Sequence, residues 1–447
     1  MKRGVLIIFS GIVVLLVASF TVYALLTRQS TEVVDKTLSV YMPFDEVDVY
    51  KKITSDFAAA NPNIDLEFKY IEAKDAKEYE AKVVNDIANG EGPDIWLVRS
   101  DWIPKHAAKS IAFEPTSDQP DPIASAKTVI EPAIVDINTY DGKLYGVPLF
   151  ADSLAIIYNL DMYRDVAAKS SEGKKLENAA TTWDIFKEQS GIVTNNSGSV
   201  ISRSAVALGT IETMYAPVDV FSAMLVQYGA SLFSNNGDSV TFNLAQFKDG
   251  VSTFPSTSAL DLFTSFSNSK ASNYSWNNDL GEAVQAFKSQ KTGAIIGYYS
   301  LFNSLNNSGL GFDLGVGPLP QVSEKAKRVD YGVSWSFIVN SQTNKAIKSQ
   351  DLASYMSLKN VQDSYSAETG RLPTYNSGES LELEVVEGEG VKNIFSGQLP
   401  TITGIYKVEW QAVDEALQDT VKLVTNLSQS PQAAVDSIAL KLKDLIK

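Results

Sequence analysis

The chain of 447 residues contains no cysteine. A thiol nucleophile, a thiolate metal site, a disulfide framework and a lipid-modified N-terminal cysteine are therefore excluded. Histidine occurs once, as His106 in the segment WIPKHAAK, where we expect an exposed and chemically inert side chain. The G-x-S-x-G, H-E-x-x-H, G-x-G-x-x-G and P-loop patterns are also missing, so the usual markers of serine hydrolases, zinc proteases, dehydrogenases and NTPases are absent.

Basic residues are also scarce relative to acidic ones, and the formal net charge is −15. Of the 38 basic side chains three (Lys2, Arg3 and Arg28) lie within residues 1–30, where no acid occurs, so 35 of them face 53 acids in the remainder. Nucleic acid is not expected as a partner, because phosphate contacts need a basic face.

The N-terminal segment is the longest uncharged stretch. Lys2 and Arg3 precede 23 residues without charge, Gly4 to Leu26, which can span a hydrocarbon core of roughly 30 Å at about 1.5 Å per residue. The basic flank predicts an inside N-terminus and an exported remainder at the extracytoplasmic face of the cell membrane. A cleaved signal peptide with Val22 and Ala24 before the cut is the alternative; the length of the run favours an uncleaved anchor over residues 1–30.

The remaining residues exceed the size at which a single core stops growing, so two α/β domains are expected. Residues 37–44 predict a strand, and a helical repeat and an alternating strand follow it, the signature of a parallel sheet covered by helices. Another strand, 93–98, runs into Ser100, Asp101 and Trp102. Ligands of open α/β sheets bind at the carboxyl ends of strands, which makes Phe44, Asp101 and Trp102 candidate ligand-binding residues.

The stretch from Tyr140 to Asn159 reads YDGKLYGVPLFADSLAIIYN and organises the rest of the prediction. Asp141-Gly142 predicts a tight hairpin, and the apolar run 153–158 predicts a strand buried on both faces. Asp152 lies between them, two residues after Phe150, where the chain passes from one sheet to another. Such crossings line clefts, so Asp152 is a candidate ligand-binding residue.

Six motifs in this order resemble the extracellular solute-binding proteins of carbohydrate ABC importers, the group that includes maltose-binding protein. They are GPDIWLVRSDW (92–102), YDGKLYGVPLFADSLAIIYN (140–159), TTWDIF (181–186), FKSQKTGAIIGYYS (287–300), GVGPLP (315–320) and GRLP (370–373). The resemblance covers nearly all of the chain after residue 37. It implies a two-lobe periplasmic-binding-protein-like fold with hinge crossovers, preceded here by one transmembrane helix, and a monomer that delivers its solute to ABC permease subunits without a cofactor or a metal.

The family pattern divides the chain into segments that alternate between the lobes. We expect the first lobe to contain residues 37–149 and 332–372, and the second lobe residues 150–331 and 373–447. The family's sugar-binding acid matches Asp101, its carboxylate at the first crossover matches Asp152, its aromatic after the GAIIG strand matches Tyr298 and Tyr299, and its late-helix aromatic matches Trp410. Trp102 stands where the family has an arginine, which argues against maltodextrin itself.

The residue types also suit a sugar on chemical grounds. A pyranose presents an apolar C–H face and a rim of hydroxyls, so its site needs flat rings and charged hydrogen-bonding groups. Trp102, Trp276, Tyr299, Trp335 and Trp410 supply the rings, and Asp101, Asp152 and Arg371 supply the charges.

Each candidate also has a structural interpretation. A tryptophan in a globular chain is often a core residue, and an aspartate often caps a helix or lies in a solvated loop. For Arg371 we expect an ion pair with an acid between the lobes.

Other functions remain open at the level of the sequence. The same scaffold carries polyamines, peptides and ferric ion, and the pair Tyr298-Tyr299 is of the kind that binds iron. A glycosidase would need two carboxylates beside a sugar, and Asp101 and Asp152 are the candidates for that role.

Overall fold

The computed structural model describes residues 36–115, 120–234, 237–248, 251–376, 378, 381 and 383–446. The predicted membrane segment, residues 1–30, lies outside these residues. Within the described part of the chain, no helix is long and apolar enough to cross a membrane.

The strands form a large mixed sheet, a small antiparallel sheet and separate hairpins. In chain order they are β1 (Thr37–Met42), β2 (Asp65–Tyr70), β3 (Ile95–Arg99), β4 (Ser110–Ile111), β5 (Thr139–Tyr140), β6 (Lys143–Leu144), β7 (Val147–Ser153), β8 (Ala155–Asn159), β9 (Asn195–Ser197), β10 (Val200–Arg203), β11 (Gln246–Lys248), β12 (Val251–Thr253), β13 (Ala294–Gly297), β14 (Leu314–Pro318), β15 (Asp330–Asn340) and β16 (Ile402–Thr403).

The helices cover both sheets. In chain order they are α1 (Val47–Ile53), α2 (Ser55–Ala60), α3 (Ala76–Ala88), α4 (Ile103–His106), α5 (Pro122–Ala126), α6 (Pro132–Ile137), α7 (Leu160–Lys169), α8 (Trp183–Val193), α9 (Pro217–Gln227), α10 (Pro255–Ser265), α11 (Ala283–Lys288), α12 (Tyr299–Asn306), α13 (Ala346–Met356), α14 (Lys359–Thr369), α15 (Val391–Gln398), α16 (Trp410–Thr425) and α17 (Pro431–Lys443). A short 3-10 turn, Ser100–Trp102, joins β3 to α4.

The large sheet, in the order β16-β15-β3-β1-β2, forms the first lobe, with β4 and β7 also paired to β15. Strands β1, β2 and β3 are parallel to one another, and β15 runs antiparallel to β3. Successive side chains of a strand point to opposite faces. Ile95 and Leu97 accordingly pack in one core with α1, α2, α13 and α14, whereas Trp96 and Val98 pack in another with α3 and α4. Helices on both faces explain why this strand is continuously apolar.

The small sheet has the order β13-β8-β14 and forms the centre of the second lobe. Every residue of β8 is buried, as the apolar run of the sequence predicts, because the strand is paired on both sides and covered by helices. The core around it includes side chains of α8 to α12 and α15 to α17. The chain is therefore a two-lobe α/β protein of the expected class.

The lobes are joined by strands that belong to both of them. Strand β7 pairs with β15 as far as Ser153, and after Leu154 the chain enters β8 of the second lobe. Strand β15 begins with Tyr331 and Val333 in the second core and continues to Phe337 in the first. The division at residues 150, 332 and 373 stays a prediction, because these shared strands have no single boundary.

The predicted hairpin precedes this crossing. Strands β5 and β6 pair antiparallel around Asp141 and Gly142, whose φ angles are 48° and 70°. Positive φ at both central residues is the requirement of a type I′ turn, which aspartate followed by glycine meets at little strain.

Candidate functional site

Four aromatic side chains contact one another in a row at the junction of the lobes. Phe44 follows β1, Trp335 lies on β15, Trp102 lies in the 3-10 turn after β3, and Trp410 begins α16. The ring centroids are 5.0 Å apart for Phe44 and Trp335, 5.3 Å for Trp335 and Trp102, and 4.7 Å for Trp102 and Trp410. Residues that are far apart in sequence thus form one continuous aromatic surface, which we call the aromatic row.

The members of the aromatic row differ in exposure. Trp102 is 1% exposed and Trp410 is also buried, whereas Phe44 and Trp335 are half-buried. Phe44 and Trp335 are therefore the members of the row that keep some exposed surface, while Trp102 packs against Trp335 and Trp410 stacks on Trp102.

Arg371 lies against the Phe44 end of the row. Its guanidinium carbon is 4.4 Å from the ring centroids of both Phe44 and Phe150, a distance at which a cation is attracted to each ring. Nε and Nη2 donate hydrogen bonds to Asp45 at 3.0 and 2.9 Å. Burial alone would lower the pKa of Arg371, but Asp45 and Tyr365 raise it. The expected pairing between lobes is wrong, because Asp45 and Arg371 follow β1 and α14 of the same lobe.

Arg99, the last residue of β3, connects carboxylates of the two lobes. Nε and Nη2 donate to the two oxygens of Asp101 at 3.0 and 3.1 Å. Nη1 and Nη2 donate to Asp219, in the first turn of α9, at 3.2 and 3.0 Å. Asp101 belongs to the first lobe and Asp219 to the second. The guanidinium therefore makes a bidentate ion pair with one carboxylate of each lobe and bridges the two lobes.

A buried lysine extends this bridge. Lys407, 1% exposed, lies between β16 and α16, and its Nζ is 2.8 Å from Asp101 and 2.7 Å from Asp414. Burial would lower the pKa of Lys407, yet Asp101 and Asp414 hold it well above its usual range. Burial raises the pKa of Asp414, against the opposing effect of Lys407. The lysine remains charged in an enclosed position because acids surround it.

Asp219 also accepts hydrogen bonds from two tyrosines. The hydroxyls of Tyr298, which follows β13, and Tyr331, on β15, donate to it at 2.9 and 3.4 Å. Burial would raise the pKa of Asp219, but Arg99 and Lys407 lower it overall. We call Arg99, Asp101, Asp219, Tyr298, Tyr331 and Lys407 the interlobe network.

Asp152 binds the start of a helix in the second lobe. Its carboxylate accepts hydrogen bonds from the backbone N–H groups of Tyr299 at 2.9 Å and Ser300 at 3.3 Å, the first residues of α12. Burial raises the pKa of Asp152 to about 7, although these bonds and one from Ser153 favour the ionised form. Asp152 thus caps a helix, as an aspartate often does. The helix belongs to the second lobe, whereas Asp152 lies on β7, the strand that leads from the first lobe. This bond ties the backbone at the start of α12 to β7, while the half-buried ring of Tyr299 packs on Phe302 and Phe395.

Two aromatic residues lie elsewhere than the sequence suggested. Trp276 is 0% exposed in the core of the second lobe, and its Nε1 donates to Thr213 Oγ1 at 3.1 Å. The structure therefore does not bring Trp276 to the aromatic row. His106 is buried, not exposed, with Nε2 2.7 Å from the carboxylate of Glu80.

Several residues of the site escaped the sequence analysis. Arg99 stands in the motif VRSDW beside Asp101, and Lys407 stands in IYKVEW three residues before Trp410. In both cases a basic residue three positions before a candidate tryptophan was a usable signal. Asp219, in APVDVF, gave no such signal, because an acid in the first turn of a helix is common for reasons of capping and dipole.

A cavity lies beside the segment that carries Lys407. This cavity of about 370 Å³ is lined by Tyr140 of the first lobe, by residues 229–234 after α9, and by residues 403–406 before Lys407. Within the described residues, no group of three or more His, Cys, Asp or Glu side chains could hold a metal ion.

Solved structures support the fold independently. The cyclic α-maltosyl-1,6-maltose binding protein from Arthrobacter globiformis aligns with a TM-score of 0.70 at 17% identity, over 92% of this chain and 99% of that one. UgpB from Mycobacterium tuberculosis, in complex with glycerophosphocholine, aligns with a TM-score of 0.67 at 14% identity, over 92% of this chain and 98% of that one. At such identities the likeness establishes the two-lobe fold.

Sequence comparison gives the family. A protein of Brucella abortus named only as a binding protein is 20% identical over 402 residues, 89% of this chain and 90% of that protein. Residues 52–381 match the bacterial extracellular solute-binding proteins, a family of binding proteins that act outside the cytoplasm. This match confirms the family resemblance expected from the sequence. The chain belongs to the bacterial extracellular solute-binding protein family.

Proposed function

We propose that this protein captures a sugar or oligosaccharide between its two lobes and delivers it to the permease of an ABC importer. The observation that supports the proposal is the contact between the half-buried rings of Phe44 and Trp335, whose centroids are 5.0 Å apart, with Arg371 and its partner Asp45 against Phe44. Tyr299, also half-buried and bonded through its backbone to Asp152 of the crossover strand, is the third ring that we assign to the site. Flat rings match the C–H faces of a pyranose, and the charged groups match its hydroxyls.

The comparison with the Arthrobacter protein, a cyclic α-maltosyl-1,6-maltose binding protein, supports a sugar. The complex of UgpB with glycerophosphocholine keeps a non-sugar solute as the alternative. A ferric site is disfavoured because the tyrosine pair is divided: Tyr298 donates its hydroxyl to Asp219, and the ring of Tyr299 packs on Phe302 and Phe395. Polyamine and peptide binding remain alternatives to a sugar.

Catalysis is not part of the proposal. Asp101 is ion-paired with both Arg99 and Lys407, and Asp152 accepts backbone hydrogen bonds, so neither carboxyl group is free to act as the acid or base of a glycosidase.

We further propose that the protein is a monomer held at the extracytoplasmic face of the membrane by an uncleaved helix within residues 1–30. Closure of the lobes on the solute would then present the form that the permease recognises.

The experiment is a thermal-shift screen followed by calorimetry. Monosaccharides, linear and cyclic oligosaccharides, glycerophosphocholine, spermidine and ferric citrate are tested, because a specific solute raises the melting temperature by mass action. The binding sugar is then titrated into Trp335→Ala and into Trp276→Phe as a matched control. We expect Trp335→Ala to weaken binding about tenfold and the control to bind like the wild type. A screen in which no sugar binds, or equal affinity of Trp335→Ala and wild type, would contradict the proposal.

A further inference from the structure

We propose that the ion pair between Arg99 and Asp219 is a latch that holds the two lobes together without a solute. The inference concerns regulation of the site, so its consequence for sugar uptake rests on the proposed function. The latch itself does not depend on which solute binds.

The first argument is geometric. Arg99 is attached to the large sheet of the first lobe, and Asp219 to α9, which packs in the core of the second lobe. The two hydrogen bonds between them, at 3.2 and 3.0 Å, join the lobes directly. The remaining bonds of the guanidinium to Asp101 hold its side chain in the orientation that reaches Asp219.

The second argument is that both groups are already satisfied. Asp219 accepts from Arg99, Tyr298 and Tyr331, and Arg99 donates from all three of its nitrogens. Buried charged groups of this kind are stable only while paired, so separating the lobes would take the cationic partner from Asp219 and leave Arg99 with Asp101 alone. A solute that uses either group must first displace the other.

The third argument concerns the surroundings. Lys407 neutralises the second oxygen of Asp101, and the stacked rings of Trp102 and Trp410 lie behind the same turn. The side chains of Arg99 and Asp219 are themselves only 19% and 10% exposed, which strengthens their electrostatic attraction relative to an exposed surface pair.

A latch changes how solute enters. If the closed arrangement is populated without solute, the fraction of molecules that can accept solute is reduced, and the apparent affinity falls by that fraction. Weakening the latch therefore increases the open population in the absence of any sugar. This effect is measurable on the protein alone.

The test is a distance measurement between the lobes of the sugar-free protein. Because the chain has no cysteine, spin labels can be placed by Asp48→Cys in the first lobe and Asp184→Cys in the second, whose side chains are 91% and 84% exposed. We expect a single narrow distance distribution in the otherwise wild-type protein. Asp219→Asn, which keeps the shape and removes the charge, should shift the distribution and broaden it, and the radius of gyration from X-ray scattering should rise.

Asp45→Asn is the matched control, because Asp45 forms a similarly enclosed fork with Arg371 inside one lobe. It should leave the distribution unchanged. Tyr298→Phe, which removes one hydrogen bond to Asp219, should broaden the distribution less than Asp219→Asn and serves as the second variant if the latter fails to fold by circular dichroism.

The latch is refuted if Asp219→Asn and Tyr298→Phe both leave the distribution as in the wild type, if the wild type is already broad, or if Asp45→Asn broadens it equally. None of these results would bear on whether sugar binds, which the calorimetric screen decides separately.

Discussion

Trp102 and Trp410 lie face to face, with ring centroids 4.7 Å apart and ring planes 10° from parallel. One residue follows a strand of the first lobe and the other begins a helix that packs in the second. Each indole packs one of its faces against the other indole. The two indoles therefore join the lobes, and Trp102 supports the half-buried ring of Trp335.

Removing one of the stacked indoles should destabilise the protein. Trp410→Ala leaves a cavity beside Trp102, and we expect a loss of about 3 to 5 kcal/mol in the free energy of unfolding. Trp410→Phe keeps an aromatic ring and should lose less. Urea denaturation followed by circular dichroism measures both. Equal stability of Trp410→Ala and the wild type would show that the stacked pair does not contribute.

Lys407 should matter far more than an exposed lysine. Lys407→Met removes a partner of the buried Asp101 and of the half-buried Asp414, and breaking a buried pair costs about 3 to 5 kcal/mol. Lys441→Met is the control, because Lys441 pairs with Asp419 at the surface, where an ion pair contributes about 1 kcal/mol or less. Thermal unfolding of the two variants should separate them clearly. Similar melting temperatures would contradict the account of the interlobe network.

Asp152 should make stability fall as pH rises. Its pKa is about 7 in the folded protein and 3.8 in the unfolded chain, so the folded state holds one more proton between these values. The contribution is fully present below pH 3.8 and is lost as pH rises to about 7, with a slope of about 1.4 kcal/mol per pH unit. The difference in unfolding free energy between the wild type and Asp152→Asn should show this slope. A difference that does not change over this pH range would refute the raised pKa.

Glu80 should have the opposite dependence. Burial opposes its ionised form, but hydrogen bonds and charges from His106 and Lys105 lower its pKa from 4.5 to about 2. The contribution is therefore present above pH 4.5 and is lost as pH falls towards 2. Glu80→Gln should unfold with a weaker acid dependence than the wild type when both are titrated between these pH values. A wild-type profile in the variant would show that the pair with His106 does not stabilise the fold.

The sequence predicts the fold well because burial leaves a plain pattern. Strands β3 and β8 are covered on both faces, so their sequences are continuous apolar runs, and the Asp141-Gly142 turn has a fixed conformational requirement. Asp101 and Trp102 directly follow β3, and Asp152 lies near the end of β7, just before the chain enters β8. These assignments depend on local chemistry, which the sequence contains.

The rest depends on contacts between distant residues. Arg99 and Asp219 are 120 positions apart, and their pairing follows from the approach of two lobes rather than from any local motif. Trp276 lies in a polar segment before a helix, which favours a ligand-binding interpretation, but its indole fills the second core. His106 resembles an exposed residue because its partner, Glu80, lies on another helix.

Hydrogen exchange measured by mass spectrometry, with and without a saturating sugar from the screen, tests the site most directly. The account predicts that sugar slows exchange in peptides containing residues 42–46, 298–303 and 332–337, which carry Phe44, Tyr299 and Trp335, and leaves those around Trp276 unchanged. Protection confined to residues 229–234 and 403–406 at the neighbouring cavity, or to the core around Trp276, would contradict it.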